Sequence, residues 1–121
     1  MVITPDNAPE SLLPLSPQAF HILVALAGGE QHGYAIMQEV AARTGGKLQL
    51  NPGSMYGTVK RMLEQGLISE LRRKERPADD DARRRYYRLT PLGRRVARAE
   101  AARLEASLAH ARQYGLTPHR F

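Results

Sequence analysis

The stretch Asn51–Ile68, NPGSMYGTVKRMLEQGLI, restricts this chain more than any other. Asn51 is a helix-capping residue, Pro52 suits the first helical position, and Gly66 can end a helix in a left-handed turn. Between those marks Met55, Val59, Met62 and Leu63 recur at helical spacing, which predicts one buried stripe. The opposite side carries Ser54, Tyr56, Gly57, Lys60, Arg61 and Glu64, a polar and cationic face. Small residues at Gly53, Ser54 and Gly57 would let a partner approach the backbone, at a helix end whose dipole favours an anion. Taken alone, the stretch also fits an ordinary core helix with a solvated face. Its surroundings decide between the two.

Before it, residues 1–15 hold three prolines and no sustained period, which predicts a flexible arm docked through Leu12, Leu13 and Leu15. Ser16-Pro17 opens a first helix to about Ala27, expected to bury Phe20, Leu23, Val24 and Ala27 before Gly28-Gly29 stops it. A second helix runs from about Gly33 to Thr44, with Ile36, Met37, Val40 and Ala41 as its stripe and Gly45-Gly46 as its end. Tyr34, just inside that helix, is expected to serve packing. Lys47–Leu50 alternates apolar and polar residues and predicts a stub of strand.

After Gly66 the period becomes extended. Leu67–Lys74 and Arg84–Leu89 are the predicted strands of a β-hairpin, with Glu75–Arg83 as its turn, marked by Pro77 and Asp79–Asp81. Adjacent strand residues point to opposite faces, so at least one of Tyr86 and Tyr87 should be core. Thr90-Pro91 then begins a last helix reaching about Tyr114, roughly 35 Å long. Along it Ala97, Ala101, Leu104, Leu108 and Ala111 step by four, three, four and three residues. So long a helix outruns so small a core, and the cheapest cover for its seam is a second copy of the chain, the alternative being a helix folded back on its own domain.

Charge narrows the partner. The net charge is +6, but residues 1–66 stand at −1 and residues 67–121 at +7, so the cations gather in the C-terminal half. Arg72, Arg73, Lys74 and Arg76 flank the hairpin on one side, and Arg83, Arg84, Arg85 and Arg88 on the other. Cations along two adjacent strands can follow a phosphate backbone. No stretch approaches the ~18 apolar residues of a membrane span, and the first fifteen residues do not read as a secretion signal, so a cytoplasmic location is expected. The absence of cysteine excludes disulfides and thiolate chemistry.

Helix, helix, short strand, helix, hairpin, helix is the order of a winged helix-turn-helix, a mainly α fold with a small β-hairpin, followed by one long C-terminal helix. The expected organisation is an arm at 1–15, a winged helix-turn-helix at 16–90, a dimerisation helix at 91–115 and a tail at 116–121. Its expected partners are double-stranded DNA and itself as a homodimer, with Ser54, Tyr56, Gly57, Lys60 and Arg61 on the reading helix.

Three stretches carry a resemblance to a known family. They are His32-Gly33-Tyr34-Ala35-Ile36; Leu50–Tyr56 (LNPGSMY) with Leu63–Ile68 (LEQGLI); and Arg85–Gly93 (RYYRLTPLG). In this order and at these distances they resemble the PadR family of bacterial transcriptional regulators, and its short members with a single C-terminal dimerisation helix. The resemblance covers about Leu15 to Leu108. It implies a homodimer on an inverted-repeat operator, usually a repressor, with Arg83, Arg84 and Arg85 near the wing. Two departures stand out: Gly57 occupies a position where many members have proline, and the chain has no tryptophan. An effector pocket at the dimer interface would therefore be lined by Phe20, Tyr114, leucines and alanines.

Other chemistry finds little support. His21, His32, His110 and His119 lack the spacing of a metal site, and the three adjacent aspartates have no second ligand cluster, so no metal and no cofactor are expected. No nucleophile elbow, carboxylate pair or phosphate loop is present, which argues against an enzyme. The competing reading is a winged-helix module whose basic wing docks an acidic protein.

Overall fold

The structure, a computed structural model, describes residues 9–77 and 83–118. Four helices and three short strands are built: α1 Pro17–Ala27, β1 Gln31–His32, α2 Gly33–Arg43, α3 Pro52–Glu64, β2 Ile68–Glu70, β3 Tyr86–Leu89 and α4 Pro91–Gln113. Short 3-10 helices at Pro9–Leu12 and Arg73–Glu75 complete them.

The helix starts follow one chemistry. Ser16, Asn51 and Thr90 each accept a hydrogen bond from the backbone N–H three residues on, and each is followed by proline. His32 does the same for α2, its Nδ1 accepting from Ala35 N at 3.2 Å. α3 ends where the φ of Gly66 turns to +76°, letting Leu67 N reach back to the Met62 carbonyl at 3.0 Å.

One core holds the elements together. Ile22, Leu23 and Leu26 of α1 meet Ile36 and Val40 of α2, Met55, Val59 and Met62 of α3, then Leu67, Ile68, Tyr87 and Val96. Leu12, Leu13 and Leu15 pack against it from the N-terminal side. The α1 stripe differs from the expected one: Ala19, Ile22, Leu23, Ala25 and Leu26 are buried, Phe20 and Val24 only partly, and Ala27 is exposed. HILVALA is apolar on nearly every side, so periodicity alone cannot choose its face.

The sheet also departs from expectation. Its third strand is Gln31–His32, between α1 and α2, and the order is β1-β3-β2, all antiparallel. Lys47–Leu50 forms no strand, because Thr44 Oγ1 accepts from Leu48 N at 3.1 Å and holds the segment as a loop, while Leu50 still reaches the core. The first wing strand stops at Glu70 rather than Lys74. There Glu75 turns back to accept from Arg72 N at 2.8 Å, closing the 3-10 turn. The second begins at Tyr86 rather than Arg84. Asp79–Asp81, at the expected wing tip, lie outside the described residues.

α4 is fixed at its root by close backbone contact. Thr90 Oγ1 donates to the Gly66 carbonyl at 2.6 Å, and Thr90 N to the Leu67 carbonyl at 3.1 Å. A Cβ on Gly93 would run into that Leu67 carbonyl, so the helix can lie here only with glycine at this position. Val96 and Glu100 are its next buried residues, and every residue from Ala101 to His110 is exposed.

Candidate nucleic-acid interface

α3 divides its residues sharply. Met55, Thr58, Val59 and Met62 are buried, whereas Gly53, Tyr56, Gly57, Lys60, Arg61 and Glu64 are exposed. Tyr56 keeps 57% of its surface open, and a Cβ on Gly57 would meet nothing within 4 Å. Ser54 sits at the edge of the exposed face and turns inward, its Oγ accepting from Gln18 Nε2 at 3.3 Å. Asn51 caps the helix through Ser54 N at 2.9 Å. Tyr34, expected in packing, is 59% exposed, because the α2 positions that reach the core are Ile36 and Val40.

The wing sorts its cations into two groups. Arg88 is held between two carboxylates, with Nη2 2.7 Å from Glu30 Oε2 and Nη1 3.1 Å from Glu75 Oε2. Arg76 donates to the Arg84 carbonyl at 2.9 Å and pairs with Glu70 at 3.3 Å. These two guanidiniums brace the wing, a role that the expected row of cations along the strands did not include. Glu75 is held below the usual carboxylate range, first by the Arg72 backbone N–H and then by Arg88. Arg88 is correspondingly raised, by Glu30 and then by Glu75. By contrast Lys60, Arg61, Arg73, Lys74 and Arg85 are exposed and make no ion pair with any described residue. Arg83 and Arg84 are exposed too, and each also interacts within the chain.

Burial pushes the Tyr87 phenol up, and Glu70 and Tyr56 add to the shift. Tyr86 and Tyr87 are both core, one more than the alternation argument required. Tyr86 stacks edge-on to His32 at 5.3 Å between centroids, tying the wing to the start of α2.

Along α4 the expected seam is open. Ala97 and Ala111 are half-buried, Ala101 is exposed, and Leu104 and Leu108 keep 40% and 43% of their surface open. Phe20 and Leu104 line one cavity with Leu15, Pro17, His21, Glu100 and Arg103, while Tyr114 stands 72% exposed at the far end of the helix. Tyr114 is not among the residues that line this cavity.

Two residues escaped sequence reasoning. Glu100 is buried at 2% exposure and receives both arms of Arg103, at 2.7 and 2.8 Å. Arg103, above all, holds its carboxyl below the usual range, and a backbone bond from Leu15 adds to this. Its spacing of four from Val96, on the buried strip, was the available signal. Gln18, which links α1 to α3, gave none.

Residues 22–99 match the model of the Transcriptional regulator PadR-like family. A PadR family transcription regulator from hypervirulent Clostridium difficile superposes with a TM-score of 0.69 at 25% identity, covering 82% of this chain and 98% of that one. A transcriptional regulator from Clostridium thermocellum gives 0.67 at 22% identity, over 80% and 88%. A zinc-responsive MarR family member from Lactococcus lactis gives 0.61 at 24% identity, over 95% and 69%, a likeness of fold alone. In sequence, an uncharacterized 37.1 kDa protein in a transposon of Streptomyces fradiae is 38% identical over 80 residues. That alignment takes in 66% of this chain and 21% of the relative, so the chain matches about a fifth of that protein's length.

Proposed function

The chain belongs to the PadR-like family of transcriptional regulators, and from that premise we propose that it is a sequence-specific DNA-binding repressor acting as a homodimer on an inverted-repeat operator. Members of this family are transcription regulators, not enzymes. The observation that carries the reading is the exposed outer face of α3, Tyr56, Gly57, Lys60 and Arg61, together with the exposed wing residues Arg73, Lys74 and Arg85, cations that make no ion pair with a described residue.

In this reading α3 lies in the major groove with Tyr56, Gly57 and Lys60 toward the bases and Arg61 toward backbone. Ser54 supports the helix from inside, and the wing cations, with Arg83 and Arg84, track flanking phosphates. Two copies joined along Ala97, Ala101, Leu104, Leu108 and Ala111 present their reading helices to successive grooves, about 34 Å apart. A small molecule bound near the seam would change that spacing and so favour one of two DNA affinities. The organisation follows the same lines: a winged helix-turn-helix over 16–90 and a dimerisation helix over 91–115. No helix among the described residues is long and apolar enough to cross a membrane, and a cytoplasmic site of action fits a DNA partner.

The test is fluorescence anisotropy with DNA from upstream of the gene and with a scrambled duplex, at two salt concentrations. The expected result is preference for the upstream duplex that persists at the higher salt. Equal binding to both, erased by salt, would leave only a basic surface and favour docking to an acidic protein.

A further inference from the structure

We propose that Gln18, on the first turn of α1, is a positioning residue for sequence reading: it fixes the roll of α3, and with it the bases that Tyr56, Gly57 and Lys60 meet. The inference rests on the DNA-binding reading above. Its ground is one side-chain amide divided between two hydroxyls a helical turn apart. Gln18 Nε2 donates to Ser54 Oγ at 3.3 Å, and Gln18 Oε1 accepts from Thr58 Oγ1 at 2.9 Å. Thr58 is buried, and its hydroxyl also lies 3.1 Å from the Ser54 carbonyl. Ser54 Oγ lies 3.4 Å from the Asn51 carbonyl.

The rest of the contact between α3 and the core does not supply this constraint. Met55, Val59 and Met62 are held by apolar burial, which has no direction, and methionine adapts its shape to small shifts. An amide gripping two points along one helix resists rotation about its axis as well as sliding along it. Rotation matters at the reading face. At a radius of about 5–6 Å, a roll of about 20° moves an exposed side chain by about 2 Å. That is enough to break a base-edge hydrogen bond, whose distance is confined to about 2.7–3.2 Å. Long lysine and arginine side chains reaching phosphate absorb the same shift. Loss of Gln18 should therefore erode specific binding and spare non-specific binding.

The experiment uses the full chain, a duplex recovered from a randomised library by repeated selection with the wild type, and a scrambled duplex of equal length. Binding is followed by anisotropy across a salt series, with thermal melts recorded in parallel. Gln18→Ala and the near-isosteric Gln18→Met are expected to lose about tenfold in affinity for the selected duplex. Their affinity and salt slope for the scrambled duplex should match the wild type, and reselection should return a broadened or shifted motif. Gln18→Glu, which keeps oxygens for both hydroxyl protons, should recover most of the discrimination. Thr58→Val added to Gln18→Ala should cost little more than Gln18→Ala alone, because both act through one contact. An equal loss on both duplexes would reduce Gln18 to a structural role and overturn the proposal, as would unchanged affinity for the selected duplex. A wild type that enriches no duplex would overturn the DNA-binding reading itself, and this role for Gln18 with it.

Discussion

Arg88, on the central strand of the sheet, closes on Glu30 at 2.7 Å across the loop that precedes β1. Its other arm reaches Glu75 in the turn after β2, so one guanidinium ties both sides of the wing root together. A cation committed in this way has no charge to spare for phosphate. Arg88→Ala is therefore expected to leave the salt dependence of DNA binding unchanged, whatever it does to the affinity. Arg61→Ala, which removes an exposed cation that makes no ion pair with a described residue, should reduce the slope of log K against log salt by about 0.9. A matched salt titration of the two variants measures the difference directly. A lower slope for Arg88→Ala would return that residue to the phosphate-contacting row.

The exposed seam of α4 predicts the assembly. Leu104 and Leu108 stand on a helix none of whose residues from 101 to 110 is buried by its own chain. With 40% and 43% of their surface still open, covering what remains of each leucine is worth about 0.6–1.2 kcal/mol, and a two-fold interface counts each position twice. Leu104→Glu together with Leu108→Glu should raise the dimer dissociation constant by at least about a hundredfold. Sedimentation velocity over a concentration series reads this out, and the double variant should still melt cooperatively, since neither side chain belongs to the core. Unchanged sedimentation would place the dimer interface elsewhere.

Glu100 predicts a pH dependence with a definite sign. Its carboxyl is held below the usual range in the folded chain, mainly by Arg103, so the folded state binds its proton less readily than the unfolded one. The stability this contributes is fully present above the unfolded value of roughly 4.3 and is lost as pH falls through the lower folded value. Glu100→Gln should therefore be less stable than the wild type at neutral pH, with the gap closing as the solution is acidified below about 4.3. Urea melts at stepped pH would show the convergence. A gap that widens in acid would contradict the pairing seen here.

The architecture was legible because its boundaries are written locally. Ser16-Pro17, Asn51-Pro52 and Thr90-Pro91 state three helix starts, and Gly66 a helix end, in residues that interact with their own neighbours. What stayed hidden depends on partners distant in sequence. β1 is two residues long and exists only because Tyr86 and Tyr87 come back to pair with it. The face of α1 could not be chosen while its sequence was apolar all round. At the interface, Tyr56, Gly57, Lys60 and Arg61 could be placed outside by period alone. The inward turn of Ser54 needed Gln18, and the separation of bracing from unpaired arginines needed Glu30, Glu70 and Glu75 in space.

Two glycines predict opposite responses to the same substitution. At Gly93 a Cβ would collide with the Leu67 carbonyl, a backbone group that cannot swing aside as the nearby Leu89 side chain could. Gly93→Ala should cost about 3 kcal/mol, the upper end of overpacking effects, and lower Tm by on the order of 10 °C. At Gly57 the new methyl would enter open space within a regular helix. Gly57→Ala should therefore stabilise the fold by up to about 1 kcal/mol, since glycine is the poorer helix former by that amount. If the DNA backbone or a base edge comes close to α3 here, the more stable variant should also bind the operator more weakly. Thermal melts and anisotropy on one preparation separate the two effects. A Gly57→Ala protein that is both more stable and equally tight on DNA would show that α3 does not approach its groove through this residue.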